Sequence, residues 1–479
     1  MTAPDLTRPQ VLVDDLLIEE AQRVGRRVHQ PQKLPNPVLQ PDRPWEGNAV
    51  LLWGTVIRDE RDGLFKMWYQ TFVKLPPPEG TYVCYAVSSD GIGWEKPVVG
   101  DVEYRGSKSP TLQSFQPSSR WSGLRRSRHG DGAQNNIVVS TEARLDSPSV
   151  VVDPEDADES RRYKMLFYEK GADRPWGLYA AFSHDGVHWH RYPDPVAPNV
   201  GDRTNVMRDE AAGVFVAYTR KREMMSRYLG RCIYRAESSD FIHWSEPEFI
   251  MHPDLSDGGD AQFYSMAAFP YHDLYLGAIE VLHSEEDALD IQLACSRDNR
   301  NWRRVEPRQT FLPRGPAESW HSAWVNISAN PPILFNGQLL FFFTGRNSAH
   351  GQRWPHPYAA IGLASMRPGR ILSIEAGGAE GRLLTKPLVW PGGKLEINAD
   401  TTVSPHIGLG QIRVEVCDAQ ANAIAGLGRE DCLPFHGDAE AHVVTWKGDR
   451  DIAQLAGEKV RLAFWLRQAR LYWFRAAPG

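Results

Sequence analysis

Four copies of one short pattern set the tightest limit on what this chain can fold into. YAVSSDGIGWEKP (85–97), FSHDGVHWHRYP (182–193), ESSDFIHWSEP (237–247) and CSRDNRNWRRVEP (295–307) each run a strand-like segment into a polar turn and on to a tryptophan. The turn aspartates are Asp90, Asp185, Asp240 and Asp298, so the intervals are 95, 55 and 58 residues. The first interval is long because it holds a Ser/Gly/Pro-rich stretch, 105–134, with the basic run RWSGLRRSRH inside it. That stretch reads as a solvated insertion loop. A unit of roughly 55–60 residues with several strands and a terminal Trp turn is the pattern of a β-propeller blade.

The strands can be placed around each turn. An apolar run precedes each turn strand: LFKMWYQTF (64–72), YKMLFYE (163–169), GVFVAYT (213–219) and LYLGAIE (274–280). A fifth such run, QLLFFFTG (338–345), leads to YAAIGLASMRPGR (358–370), where a degenerate turn replaces the Asp and Trp. The innermost strand of each unit is expected at GNAVLLWGTVI (47–57), SPSVVV (147–152), TNVMR (204–208), FYSMAAFP (263–270) and SAWVNIS (322–328). Residues 1–377 are therefore expected to form a five-bladed β-propeller. From residue 378 to 479 the texture shifts to short alternating runs, clearest in LAGEKVRLAFWLRQARLYWF. Period-two alternation marks half-buried antiparallel strands, so a C-terminal β-sandwich is expected there. The opening VLVDDLLIEE is expected to close the ring or cover a sheet edge. The fold class is all-β, which 40 glycines, 35 prolines and 16 tryptophans suit.

Antiparallel topology then separates turn from site. The Asp turn joins the third strand to the fourth. The start of the first strand and the loop from second to third strand share the opposite face. An acid stands at each first-strand start: Glu46, Asp146, Asp202, Asp260 and Glu318. Any one of them could serve only a local turn. Five at the mouth of one channel would form a carboxylate ring, in which like charges push some pKa values up. These are the catalytic candidates. Trp45, Arg203, Arg220, Tyr264, Trp320, His321, Arg346 and His350 share that face and are the substrate-binding candidates. Aromatic faces stack on sugar rings, and Arg or His can fix hydroxyls or a carboxylate. The histidines lack compact metal-ligand spacing, so neither a metal nor another cofactor is expected.

Composition narrows the partners. Lys+Arg total 54 and Asp+Glu 60, a formal charge of −6, which argues against a nucleic-acid partner. No apolar run reaches ~18 residues, so no membrane partner is expected. Five cysteines without CxxC spacing fit free thiols, and the opening MTAPDLTRPQ lacks a basic-then-apolar leader pattern. A cytoplasmic location is the expectation, with secretion left open. A carbohydrate is the expected partner, and a homo-oligomer is compatible with the sequence.

Taken together, VDDLLIEE, PWEGNAV, KMWYQ, YAVSSDGIGWEKP, LACSRDNRNWRRV and GRLLTKPLVW…LYWF resemble a known group. These are the glycosyl hydrolase-like five-bladed propellers of the invertase and arabinanase (β-fructosidase-like) superfamily. The resemblance implies an axial active site with three acids, which would fall by position on Glu46, Asp146 and Asp202. It departs in detail: PWEGN stands where invertases carry Asn-Asp-Pro, and Arg144, Leu145 and Asp146 only loosely echo Arg-Asp-Pro. The activity implied is a glycosidase that cleaves a terminal sugar or short oligosaccharide with a carboxylate acid/base pair. Two alternatives stand beside it: a non-catalytic carbohydrate-binding propeller, and a sialidase-like enzyme, since the repeated turn also resembles the sialidase Asp-box.

Overall fold

The fold comes from a computed structural model that describes residues 4–73, 80–99, 102, 134–141, 144–171, 175–198, 200–221, 230–349, 358–403, 410–448 and 450–477. Residues 105–133 of the expected insertion loop, and His350, lie outside the described residues. Among the described residues there is no α-helix, and the chain is built from antiparallel sheets joined by turns and short 3₁₀ segments.

Five antiparallel units, called sheets one to five, follow one another along the chain, the fourth and fifth joined into one continuous sheet by a parallel pairing of Leu289 with Trp324. Sheet one holds Val50–Arg58, Phe65–Val73, Gly80–Ser88 and Ile137–Ser140. Sheet two holds Arg144–Val152, Tyr163–Lys170, Gly177–Ser183 and, on its outer side, Trp189–Arg191 and Ala197–Pro198. Sheet three holds Asn205–Asp209, Val214–Thr219, Ile233–Ser238 and Glu248–Met251. Sheet four holds Ala261–Tyr271, Leu274–His283 and Ala288–Ser296, edged by Arg303–Arg304 and Thr310–Leu312. Sheet five holds Trp324–Ile327, Gln338–Arg346 and Ala359–Met366. Its fourth strand, Gln32–Lys33, comes from the other end of the chain.

Apolar seams join the sheets in a cycle. Trp68 and Val83 of sheet one pack with Val150 and Phe167 of sheet two. Leu166 and Tyr168 meet Val206 and Phe215 of sheet three. Val216 and Tyr218 meet Met266 and Ile279 of sheet four. Leu276 and Leu293 meet Val325 and Phe341 of sheet five. Phe342 and Ile361 of sheet five return to Val50 and Tyr69 of sheet one. Continuous burial of these strands on both faces explains why they read as apolar runs rather than alternating ones.

The repeated turns have one geometry. In the first, the N–H groups of Ile92 and Gly93 donate to Asp90 Oδ1 at 2.8 Å each, and Gly91 N–H donates to Ser88 Oγ at 2.9 Å. Asp185, Asp240 and Asp298 repeat the pattern with Val187/His188, Ile242/His243 and Arg300/Asn301. The residue after each aspartate has positive φ: Gly91 (76°) and Gly186 (81°), but Phe241 (68°) and Asn299 (58°). Glycine adopts this conformation without cost and phenylalanine does not, so packing holds Phe241 in place against Phe215 at 5.1 Å. The tryptophans reach the preceding sheet in the cycle. Trp94 lies edge-on to Phe342, Trp189 to Trp68 and Trp302 to Tyr218. The fifth unit has no such tryptophan of its own. Trp473, from the last strand of the chain, stands there, its Nε1 2.7 Å from where a Cβ on Gly369 would sit.

Two further antiparallel sheets face each other over one core that includes Leu383, Trp390, Ile397, Val414, Phe464 and Phe474. The first contains Gly25–Val28, Leu372–Ala376, Ala469–Ala477, Lys394–Asp400 and Asp438–Val443. The second contains Ile18–Gln22, Gly381–Thr385, Lys459–Arg467 and Gln411–Cys417. Ile18–Gln22 and Gly25–Val28 thus belong with the C-terminal sheets, unlike Gln32–Lys33, and Tyr472 and Trp473 bury against the fourth and fifth sheets of the ring.

Candidate functional site

The inner strand of sheet two begins Arg144-Leu145-Asp146-Ser147. Ser147 has φ 54°, and the pairing slips by a residue opposite Phe167. Such bulges re-aim side chains. Gln70, on the second strand of sheet one, holds this kink from both sides. Its Nε2 donates to Asp146 Oδ1 at 2.9 Å and to the Leu145 carbonyl at 3.0 Å, while its Oε1 accepts from Ser147 N–H at 2.9 Å. The Asp146 side chain is fully enclosed, with Arg144 Nε 2.6 Å from Oδ2. Arg144 also reaches Asp202, Nη2 to Oδ2 at 3.4 Å. Asp202 precedes the inner strand of sheet three, keeps 32% of its side chain exposed, and pairs with Arg220 Nη2. Ser147 Oγ donates to the Asp202 carbonyl at 2.9 Å, which ties the two strand starts together.

Environment pushes the two carboxyls apart. Burial raises Asp146 to about 7, with Asp202 adding to the push and Arg144 opposing it. Burial also works to raise Asp202, but the guanidiniums of Arg220 and Arg144 overcome it and hold that carboxyl below its ordinary value. Near neutral pH one of the pair keeps a proton that the other has lost. Divergent carboxyls of this kind mark acid/base assignments.

The other sheets wall this pair with rings and cations. Tyr264 sits at a second bulge, between Phe263 and Ser265. Its ring lies 5.2 Å from Trp324 of sheet five, edge-on, and 6.5 Å from Trp53 of sheet one. Arg220 and Arg231 lie over the Tyr264 ring at 4.7 and 5.2 Å, and Arg346 over Trp324 at 5.1 Å. All five sheets contribute a side chain.

The remaining candidates sit elsewhere. Glu46 is fully buried in the seam between sheets one and five, where it accepts from Tyr69 Oη (2.6 Å), the N–H groups of Asp42 and Arg43, and Lys96 Nζ (2.9 Å). Trp45 shares that seam and donates to Asn136. Arg203 lies in the centre of the ring, 1% exposed. Its guanidinium is taken up by Glu280 (2.6 Å), Asn205 and the carbonyls of Trp53 and Ile327. It therefore pins sheets one, three, four and five together. Asp260 accepts from Glu285 N–H and ends a loop. Glu318 is exposed, at φ 67°. Trp320 stacks on Phe343 at 5.7 Å, and His321 is wedged near Gly315 and Gly345, where burial lowers its pKa to about 4. Asp146, Asp202, Arg220, Tyr264 and Arg346 thus come together, while Glu46, Asp260, Glu318, Trp45, Arg203, Trp320 and His321 do not join them.

Gln70, Trp53, Arg231 and Trp324 were not singled out by sequence, nor was Arg144 as a site residue. Two signals existed: Arg144 lies two residues before Asp146 on one strand, hence on the same face, and Gln70 is a polar break at the end of KMWYQ. Among the described residues, no group of three or more His, Cys, Asp or Glu could hold a metal ion, and no helix is long and apolar enough to cross a membrane. All five cysteines are buried, and none is joined in a disulfide.

No family model matches the chain, and no curated protein matches it. Solved structures do share parts of its shape. One is a glycoside hydrolase, 14% identical over 71% of this chain and 93% of its own, at TM-score 0.47. Another is a glycosyl hydrolase from Bacteroides ovatus, 13% identical over 72% and 95%, at 0.45. A third is an N-acetylgalactosamine deacetylase from F. plautii in complex with blood group B trisaccharide, 14% identical over 71% and 95%, at 0.44. At TM-scores below 0.5 these likenesses assign no role to any residue of this chain.

Proposed function

We propose that the ring is a five-bladed β-propeller, that the two further sheets, which begin at Leu372 rather than at the expected 378 and take in Ile18–Gln22 and Gly25–Val28, form a β-sandwich, and that the chain is a glycoside hydrolase. The observation that carries the activity is the Asp146–Asp202 pair: two carboxyls bridged by Arg144, one raised to about 7 and one lowered. In this reading Asp146 gives its proton to the glycosidic oxygen as the bond from that oxygen to the anomeric carbon breaks. Asp202 stays ionised and either attacks the anomeric carbon or takes a proton from the attacking water. Arg144, 45% exposed, moves from Asp146 to let the leaving oxygen approach. Tyr264, Trp324 and Trp53 are buried behind the pair, and the first two hold the arginines that face it.

The test is a screen of aryl glycosides and oligosaccharides with the whole chain, followed by Asp146→Asn and Asp202→Asn on any substrate found. Turnover lost in both variants supports the pair. Full activity in either removes that residue from the chemistry. Proton NMR of the first product anomer separates inversion, which needs carboxyls ~6.5–9.5 Å apart, from retention at ~5–5.5 Å.

One observation favours carbohydrate binding without catalysis: Asp146 has no exposed surface beneath Arg144. On that reading Asp146→Asn leaves sugar binding unchanged and no glycoside is turned over.

A further inference from the structure

Among the described residues, the cations around Tyr264 outnumber the anions beside them. Arg144, Arg220, Arg231 and Arg346 all act electrostatically on its ring or hydroxyl. Facing them are Asp146, Asp202 and Asp287. Four guanidiniums against three carboxyls is already an excess, and it widens because Asp146 holds its proton to about pH 7.

The individual donors are equally unfilled. Arg220 is 1% exposed and spends Nη2 on Asp202, yet its Nε and Nη1 are buried without an acceptor among the described residues. Arg231 donates Nη1 to Gln262 Oε1 at 2.7 Å, and its Nε is buried without an acceptor among the described residues. Arg346 makes one long contact, Nη2 to the Ala349 carbonyl at 3.4 Å, and no ion pair to a described carboxylate. Burial lowers both Arg231 and Arg346, with Arg220 adding to the push on Arg231. A guanidinium cannot lose its proton in a protein, so desolvated charge with buried donors left without an acceptor is costly until another anion arrives. The planar fork of arginine matches a carboxylate or another oxyanion in two-point contact.

We propose that this arginine cluster recognises an oxyanion carried by the sugar itself, so that the substrate is an acidic glycoside of the uronic-acid class, with Arg231 and Arg346 as its specificity-determining residues. The proposal rests on the glycosidase reading for the word substrate, and on charge alone for the word acidic. Arg220 and Arg144 are already shared with Asp202. Arg231 and Arg346 have no ion pair among the described residues and stand one on each side of the Tyr264–Trp324 ring contact.

Binding and turnover test the two words separately. Free glucuronate and galacturonate would be titrated against glucose and galactose by calorimetry on the whole chain, with Arg231→Gln, Arg346→Gln, Arg346→Lys and Asp146→Asn beside it. Uronate binding at least tenfold tighter than the neutral sugar is expected. A tenfold or greater loss in each Gln variant, partial retention in Arg346→Lys and little change in Asp146→Asn complete the expected set. Unfolding midpoints verify that each variant is folded, and a variant that unfolds is replaced by Arg→Met at the same position. Equal binding of neutral and acidic sugars, or Gln variants that bind uronate as well as the parent, would overturn the proposal. Inorganic phosphate forms the other arm. If phosphate speeds turnover of neutral aryl glycosides and the Gln variants lose that effect, the arginines hold a free anion and the sugar-borne assignment falls. Uronate binding without turnover of any uronide sinks the glycosidase reading and leaves the acidic ligand standing. Turnover of neutral glycosides with no uronate preference does the reverse.

Discussion

At the tryptophan end of the ring, Asp90, Asp185, Asp240 and Asp298 each accept two backbone N–H groups. At the opposite end, Asp146 accepts from one amide and leans on one guanidinium. The chemistry of the side chain is identical and the outcome is opposite. The amides of Ile92 and Gly93 hold Asp90 below its ordinary value. Burial works against Asp185, but the N–H groups of His188 and Val187 and the His188 ring bring it to about 2. Burial dominates at Asp146 and takes it to about 7. The lesson is that a repeated aspartate is repeated because a turn needs its charge satisfied, whereas Asp146, the proposed acid, is left short of partners.

The largest effect should come from Asp146→Asn. It removes the proposed proton donor and is expected to lower kcat by about 10²–10⁴ on whatever glycoside is turned over. The parent should lose activity as pH rises through about 7, where Asp146 gives up its proton. Stability carries the same signature. The folded pKa lies above the unfolded value of 3.8, so the folded state binds more protons between about pH 4 and 7 and loses stability as pH rises through that window. Asp146→Asn should flatten that slope in urea unfolding measured across the window. A slope equal to the parent's would mean that Asp146 ionises normally.

Glu46→Ala sharpens the contrast from the other side, since Glu46 is as buried as Asp146 but fully partnered. Removing it takes the acceptor from the Tyr69 hydroxyl and two backbone amides and leaves Lys96 with only the Gln40 carbonyl and Asp42. A loss of about 3 kcal/mol in folding free energy is expected, read from denaturant midpoints, because charged hydrogen bonds are worth ~1.5–3 kcal/mol each. If stability is unchanged and only turnover falls, Glu46 belongs to the chemistry after all.

These two acids show what a sequence can and cannot say. The order of strands around each turn was readable, because period, turn residues and apolar runs are local properties. All five expected inner strands pair with the runs expected to follow them. The orientation of an acid at a strand start was not readable. Glu46 and Asp146 occupy matching places in the chain, but a 3₁₀ turn at Pro44–Glu46 points one into a seam, and a bulge with Ser147 at positive φ points the other toward Asp202. Arg203 escaped for the same reason. Its neighbour Asp202 is half-open, yet Arg203 is consumed at the centre by Glu280, a residue 77 positions away. The Trp473 contact with the fifth turn is also non-local, which is why that turn read only as degenerate.

The smallest expected effects lie in the turns, where Ala and Asn at Asp185 can be told apart. Asp185→Ala loses both amide acceptors and should cost about 1–2 kcal/mol, the range of a lost capping side chain. Asp185→Asn keeps one carbonyl oxygen for the Val187 and His188 amides, so its cost should stay under about 1 kcal/mol. The pH dependence gives a finer reading. The carboxylate is held at about 2 against an unfolded value of 3.8, so its contribution is complete above about pH 4 and is lost as pH falls toward 2. Asp185→Asn has no such charge to lose, and its stability relative to the parent should improve across that acid window. Both variants should leave turnover untouched, because the turn stands at the far end of the sheet from Asp146. A turn variant that slows catalysis while its unfolding midpoint stays put would erase the division between the two ends.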